Sequence, residues 1–240
     1  SKLGSLVSKL YIDPLSAVIM LEALERKRAD KNMVHASMKS SKFTPALDLS
    51  RAASKAPTEL GLIHLITMTP NMDLLYVQSA DGWVEEFIDQ HQSELYDEDN
   101  YDYLLREAQT AAMLMDWIGE VNENQIASRY RIGPGDIRRT AETAQWLMHS
   151  LAELSKQLDL GITFKTEQLA ERIHYGASQD LLGLLNLKGI GRVRARKLYL
   201  SGITSLEKLK AADRAGISRL LGPRIAERIF HQLKKEEILP

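Results

Sequence analysis

Apolar positions recur at three- and four-residue steps along most of this chain, the period of helices that bury one face. The longest such run lies between Ile132 and Gly161. Ile137, Ala141, Ala144, Met148, Leu151 and Leu158, helped by Leu147 and Leu154, form a single stripe. Pro134 at the start, Asp136 in the first turn and Gly161 beyond the last apolar position are start and stop signals. They predict one helix of roughly 36–40 Å at ~1.5 Å per residue. Arg139 and Trp146 are seven residues apart, about 20° from eclipsed at roughly 100° per residue, and lie opposite Ala141 and Met148. Such a cation and indole suit a single nucleic-acid strand, the aromatic stacking on a base and the arginine stacking or meeting a phosphate. The other reading is that Trp146 packs beneath another helix and Arg139 is an ordinary solvated charge.

Shorter patterns surround this helix. Leu3, Leu6, Val7, Leu10, Tyr11 and Ile12 form a cluster that ends at Asp13-Pro14 and reads as the end of an element from a preceding domain. Leu15 to Leu24 reads as a helix with Asp13 as N-cap and Pro14 at its first position. Residues 25–57 are polar and irregular, and a flexible loop or insertion is expected there. Thr58 to Thr67 reads as a capped helix in which His64 is a hydrogen-bonded core residue. Two further helical patterns, Trp83 to Ile88 and Tyr101 to Ile118, are separated by Y-D-E-D-N, and Trp83, Phe87, Met113 and Trp117 fall at packing positions. Glu123 to Tyr130 then leads by a glycine-containing turn into the long helix, the order of a helix-turn-helix that reads the major groove. Pro134 and Gly135 stand where such a motif needs base-reading side chains. Residues 162–177 close the bundle with Phe164, Leu169, Ile173 and Tyr175, and Gly176 marks a boundary. The expected class is all-α.

Beyond Gly176 the signal is more specific. A helix from Asp180 to Leu187 leads into Lys188-Gly189-Ile190-Gly191, and the next helix carries Ala195 and Leu198 at set spacings: the helix-hairpin-helix pattern G-I-G-x-x-x-A-x-x-L. Glycines let the hairpin turn tightly, and amides at the following helix N-terminus point outward toward a phosphate. A degenerate second copy follows at Gly222-Pro223-Arg224, joined by a short helix at Ser205 to Ala211, with Asp213 as a helix cap. Lys188, Gly189, Gly191, Gly222 and Arg224 are thereby candidate contacts to a DNA backbone. A protein-interaction fold is the alternative use of the same hairpins.

Charge changes the picture more than composition does. The net charge is −1 over 240 residues, yet residues 71–124 carry 14 acidic against 1 basic side chain and residues 178–240 carry 13 basic against 6 acidic. A basic C-terminal segment is the footprint of a nucleic-acid binder; the acidic block repels a polyanion or is a solvated surface. The absence of cysteine excludes disulfides, thiolate metal sites and cysteine nucleophiles. No carboxylate–histidine cluster has metal-ligand spacing, and neither a metal nor a catalytic residue is expected. No apolar run approaches a membrane span and no signal peptide opens the chain, so a soluble, cytoplasmic protein without membrane partners is expected.

The runs L-K-G-I-G-R-V-R-A-R-K-L-Y-L-S-G-I, Y-R-I-G-P-G-D-I-R-R-T-A-E-T-A-Q-W-L and L-G-S-L-V-S-K-L-Y-I-D-P-L together resemble the C-terminal part of the archaeal Hjm-type DNA helicases. These are superfamily 2 enzymes related to metazoan helicase Q and the helicase half of polymerase theta. The resemblance covers nearly the whole chain except residues about 26–57. It implies the end of a winged helix at 1–14, a helical ratchet domain at 15–177 with 26–57 as an insertion, and a helix-hairpin-helix domain at 178–240. It also implies that Arg139 and Trp146 stack on the bases of a translocating single strand. The family's R-A-R motif, which contacts the departing 3′ tail and restrains unwinding, falls on Arg194-Ala195-Arg196, with Arg192 as an additional backbone contact. The implied partners are single-stranded and branched DNA, the N-terminal motor domains of the same protein, and a replication or repair protein. The implied activity is ATP-dependent 3′ to 5′ unwinding in fork repair and recombination.

No G-x-x-x-x-G-K-[ST] and no D-E-x-H occurs in the 240 residues. ATP and Mg therefore belong to motor domains, and these residues alone are expected to lack hydrolysis. Two competing classes use the same features differently: a duplex-binding helix-turn-helix regulator, and a scaffold whose acidic face recruits a basic partner.

Overall fold

The computed structural model describes residues 2–26, 57–78, 82–96 and 100–236. The loop or insertion expected at 25–57 lies almost wholly outside the described residues, as do three residues of the Y-D-E-D-N break. Among the described residues every regular element is helical.

Polar caps explain where several helices begin. Helix α1 spans Lys2–Leu10, and α2 spans Pro14–Arg26 after a bend of 117°. The Asp13 carboxylate accepts from the Leu15 amide at 2.8 Å, as an N-cap should. In the same way Thr58 caps α3 (Glu59–Thr67) through the Gly61 amide. Helix α4 spans Trp83–His91, Asn100 caps α5 (Tyr101–Ile118), and Asn122 caps α6 (Glu123–Tyr130). Helix α7, Pro134–Leu158, has 25 residues, or ~37 Å. Its start is tied by Asp136, whose Oδ2 accepts from the Gly133 amide at 3.1 Å. It ends one turn short of Gly161, because Asp159 takes the left-handed conformation at φ 49°. Helix α8 runs Thr163–Tyr175.

Helices α1–α8 share one hydrophobic core. The α7 stripe is its spine: Ile137, Ala144, Leu147, Met148, Leu151 and Leu154 are fully buried and Ala141 nearly so. Leu158 departs from that expectation and is exposed. The chain turns away at Asp159, and Ile162 is the residue buried at that end. Phe164 is also corrected, from a bundle-closing residue to one 72% exposed. The buried face of α8 runs through Thr166, Leu169, Ala170 and Ile173, and Phe164 lies about 140° from Leu169 at ~100° per residue. His64 is fully buried beside Glu107 (3.7 Å), and its Nδ1 accepts from the Tyr96 amide at 3.2 Å.

A second, separate core gathers residues from Ala177 to Leu233. It contains a 3₁₀ turn at Gln179–Leu181, α9 (Leu182–Leu185), α10 (Arg192–Leu200), α11 (Leu206–Ala211), α12 (Arg214–Leu221) and α13 (Pro223–Glu236). The expected Asp180 to Leu187 helix is thus shorter and begins as a 3₁₀ turn. Ala195 and Leu198 of the hairpin pattern are fully buried.

Candidate nucleic-acid interface

The first hairpin is built around Gly189, whose φ of +93° is a left-handed conformation that side chains resist. Gly191 then caps α10 in extended conformation without a side-chain bond. The amides of Arg194 and Ala195 both return to the Gly191 carbonyl, at 2.9 and 3.0 Å. The earlier amides of Arg192 and Val193 stand at the helix mouth, where the dipole favours an anion. Helix α13 holds this turn in shape. Gln232 accepts from the Lys188 amide at 2.9 Å and donates to the Lys188 carbonyl at 2.8 Å.

Cations converge on that turn. Arg194 is exposed and donates to the Gly189 carbonyl at 2.8 Å. A Cβ on Gly189 would lie 3.4 Å from the Arg228 guanidinium, so Arg228 also borders the turn. Arg224 stands one helical turn before Arg228 on α13, on the same face. Lys188, Arg224 and Arg228 are all exposed. The second hairpin turns at Gly222, with φ +90°, directly before Pro223. Of these groups, Arg228 and Gln232 escape the hairpin pattern; their i,i+4 spacing behind Arg224 on one face is the signal that finds them.

The three arginines of α10 divide between outside and inside. Arg192, expected as a DNA-backbone contact, instead points inward with a side chain only 12% exposed. Its guanidinium lies 4.2 Å from the centre of the Trp117 ring. It donates to the carbonyls of Trp117 and Gly176 at 3.4 and 3.3 Å and pairs with Glu123 at 3.5 Å. Burial pulls its pKa down, against the opposing pull of Glu123 and Glu120. Arg196 is likewise engaged within the chain. It donates to both Glu120 oxygens at 2.6 and 2.9 Å and to both Asp180 oxygens at 2.9 and 3.1 Å, above the Tyr199 ring at 5.0 Å. Burial opposes ionisation of Glu120, but the bonds from Arg196 and Ser178 prevail and bring its pKa down to about 2. The R-A-R motif therefore presents one outward arginine, Arg194, and one that bridges the two cores.

On α7 the column opposite the buried stripe runs Arg139, Glu142, Trp146 and His149, all exposed except Trp146. Arg139 is 68% exposed and paired with Asp136 at 2.9 Å. Of the two readings that periodicity leaves open for Trp146, the structure shows packing: the indole is half-buried against the bundle, and its Nε1 donates to the Leu10 carbonyl at 2.9 Å. Helix α1 covers part of this face. The α6–α7 pair has helix-turn-helix order, but Arg131 is bonded to Gln78 and Arg138 to Glu123. The first turn of α7 offers only Pro134, Gly135 and the engaged Asp136.

Among the described residues no group of three or more His, Asp or Glu could hold a metal ion, and no single helix is long and apolar enough to cross a membrane.

Comparison with known proteins agrees with this division of the chain. Residues 60–176 match the family described as archaeal helicase, domain 4, and residues 181–235 match the SAM-like helix-hairpin-helix tandem. Proteins described as ATP-dependent DNA helicase Hel308 are similar along almost all of it. That of Methanocella arvoryzae is 40% identical over 98% of this chain and 30% of its own length. That of Methanocaldococcus jannaschii is 35% identical over 97% of this chain and 17% of its own length. That of Pyrococcus abyssi is 32% identical over 98% and 30%. The chain thus spans less than a third of each of these relatives. It belongs to the archaeal superfamily 2 DNA helicases and corresponds to their C-terminal part, helicase domain 4 followed by the helix-hairpin-helix tandem.

Proposed function

We propose that this chain is the part of an ATP-dependent 3′ to 5′ DNA helicase that grips single-stranded and forked DNA, in replication-fork repair and recombination. The observation that carries the reading is the Lys188-Gly189 turn bordered by Arg194 and Arg228, with Arg224 one turn along α13. Such a turn binds a phosphate through amides and cations with no regard to base sequence. Arg139 and Trp146 on α7 supply the stacking column beside the strand, and Arg194 meets the departing tail to restrain unwinding. Motor domains holding ATP and Mg supply the force. A replication or repair protein is a further partner. The relatives' description as ATP-dependent DNA helicases supports this reading, and the engaged Arg131 and Arg138 argue against a base-reading helix-turn-helix.

Fluorescence anisotropy with oligo-dT and with forked DNA of several sequences tests it. The chain is expected to bind both regardless of sequence. Replacing Arg194 and Arg228 together by alanine should shallow the slope of log K against log salt by about 1 to 1.5, at ~0.7 per phosphate contact. A wild-type slope in the folded double variant refutes the hairpin as a phosphate site. Trp146→Ala should weaken oligo-dT binding by about 1–3 kcal/mol, while Trp146→Phe keeps a ring and most of the affinity. Unchanged affinity of a folded Trp146→Ala protein removes the stacking role.

A further inference from the structure

Arg196 is one of the cations that the family resemblance assigns to a DNA strand, yet the chain itself surrounds it with carboxylates. Glu120 sits in the turn after α5, between Ile118 and Val121 of the first unit, whereas Asp180 lies in the 3₁₀ turn at the start of the second. Four charge-assisted bonds of 2.6–3.1 Å fill the guanidinium's fork on both edges. A phosphate asks the same geometry of an arginine as these carboxylates do. While they are in place, no strand can take Arg196.

The surroundings make exchange feasible. Arg196 is 30% exposed and Asp180 33%, so water and an incoming anion reach the site from one side. Glu120 has a second set of partners: its Oε1 accepts from the Ser178 hydroxyl at 2.7 Å and the Ser178 amide at 3.1 Å. When the arginine leaves, Glu120 keeps those bonds and Asp180 meets water, so no buried charge is orphaned. Arg192 is tied differently. Its one carboxylate, Glu123, stands at 3.5 Å, and it rests chiefly on the Trp117 ring and on backbone carbonyls, which a phosphate does not replace.

We propose that Glu120, with Asp180, is an internal stand-in for a DNA phosphate at Arg196. It holds the helix-hairpin-helix unit against the bundle until a single strand displaces it. Arg194 is then the standing contact of the R-A-R motif and Arg196 the conditional one. The inference rests on the DNA-binding reading above and adds which residues compete with DNA.

A cycle of variants tests it on oligo-dT at low salt. Glu120→Gln with Asp180→Asn should bind about three- to tenfold more tightly than wild type, because Arg196 is freed. Adding Arg196→Ala to that pair should abolish the gain, and Arg196→Ala should cost less affinity alone than in the pair. If the gain persists without Arg196, it reflects general loss of negative charge and the latch is refuted. A folded Glu120→Gln/Asp180→Asn protein with wild-type affinity also refutes it. If that pair does not fold, by far-ultraviolet circular dichroism, Asp180→Asn alone is read by the same two criteria. Absence of binding by the wild-type chain itself would defeat the DNA-binding reading; the other failures leave that reading standing.

Discussion

Gly176→Ala is expected to destabilise the protein by about 2–5 kcal/mol, the sum of a left-handed backbone cost and an overpacking cost. Gly176 ends α8 with φ +59°, and a Cβ there would lie 2.4 Å from a carbon of the Trp117 ring. The ring cannot easily withdraw. Its Nε1 donates to the Ile173 carbonyl at 2.7 Å, and the Arg192 guanidinium lies against it. Urea unfolding followed by circular dichroism measures the loss. Gly161→Ala is the matched control, since Gly161 also has positive φ, +74°, but open space around its Cβ position. It should show the backbone cost alone, about 1–2 kcal/mol. Equal losses at the two glycines would mean that the ring gives way.

Trp117→Ala should cost about 3–5 kcal/mol, as truncation of a large buried aromatic does. Its consequence reaches further than the cavity. Trp117 belongs to the first core, but Arg192 of α10 is seated on its face, so the truncation also removes a contact between the two hydrophobic units. The single cooperative transition expected of coupled units should then separate into two, seen as a broadened urea curve with a lowered apparent m-value. Trp117→Phe keeps an aromatic face and loses the bond to Ile173, and should cost only about 1 kcal/mol. A Trp117→Ala protein that still unfolds in one sharp step would show that the polar ties, Arg196 and Ser178 to Glu120 and Arg192 to Glu123, suffice to couple the units.

How much of this was legible in the sequence depends on whether the cause is local. The α7 stripe from Ile137 to Leu154, the caps at Asp13, Thr58 and Asp213, and the Gly189 turn all follow from period and turn chemistry within a few residues. Leu158 and Phe164 keep the right residue type but stand where no partner covers them, which periodicity cannot report. Trp146 is met by Leu10, 136 positions away, so no property of its own helix shows that its N–H is engaged. The division of α10 was half legible. Arg192 and Arg196 are four apart and share a face, while Arg194 lies about 200° from either. What spacing leaves open is which face turns inward. Glu120 had no signal of its own, being one of 14 acidic residues spread through the acidic block.

The bond between Trp146 and Leu10 has one more consequence. Leu10 ends α1, and its carbonyl is among the acceptors that a helix leaves without an internal partner. The indole therefore serves as a C-terminal cap for another helix. That service selects its rotamer in advance, so a planar ligand settling on the ring has little side-chain entropy left to quench. A change in the first ten residues that loosens α1 would return that freedom to the indole, and would weaken any stacking partner without touching it.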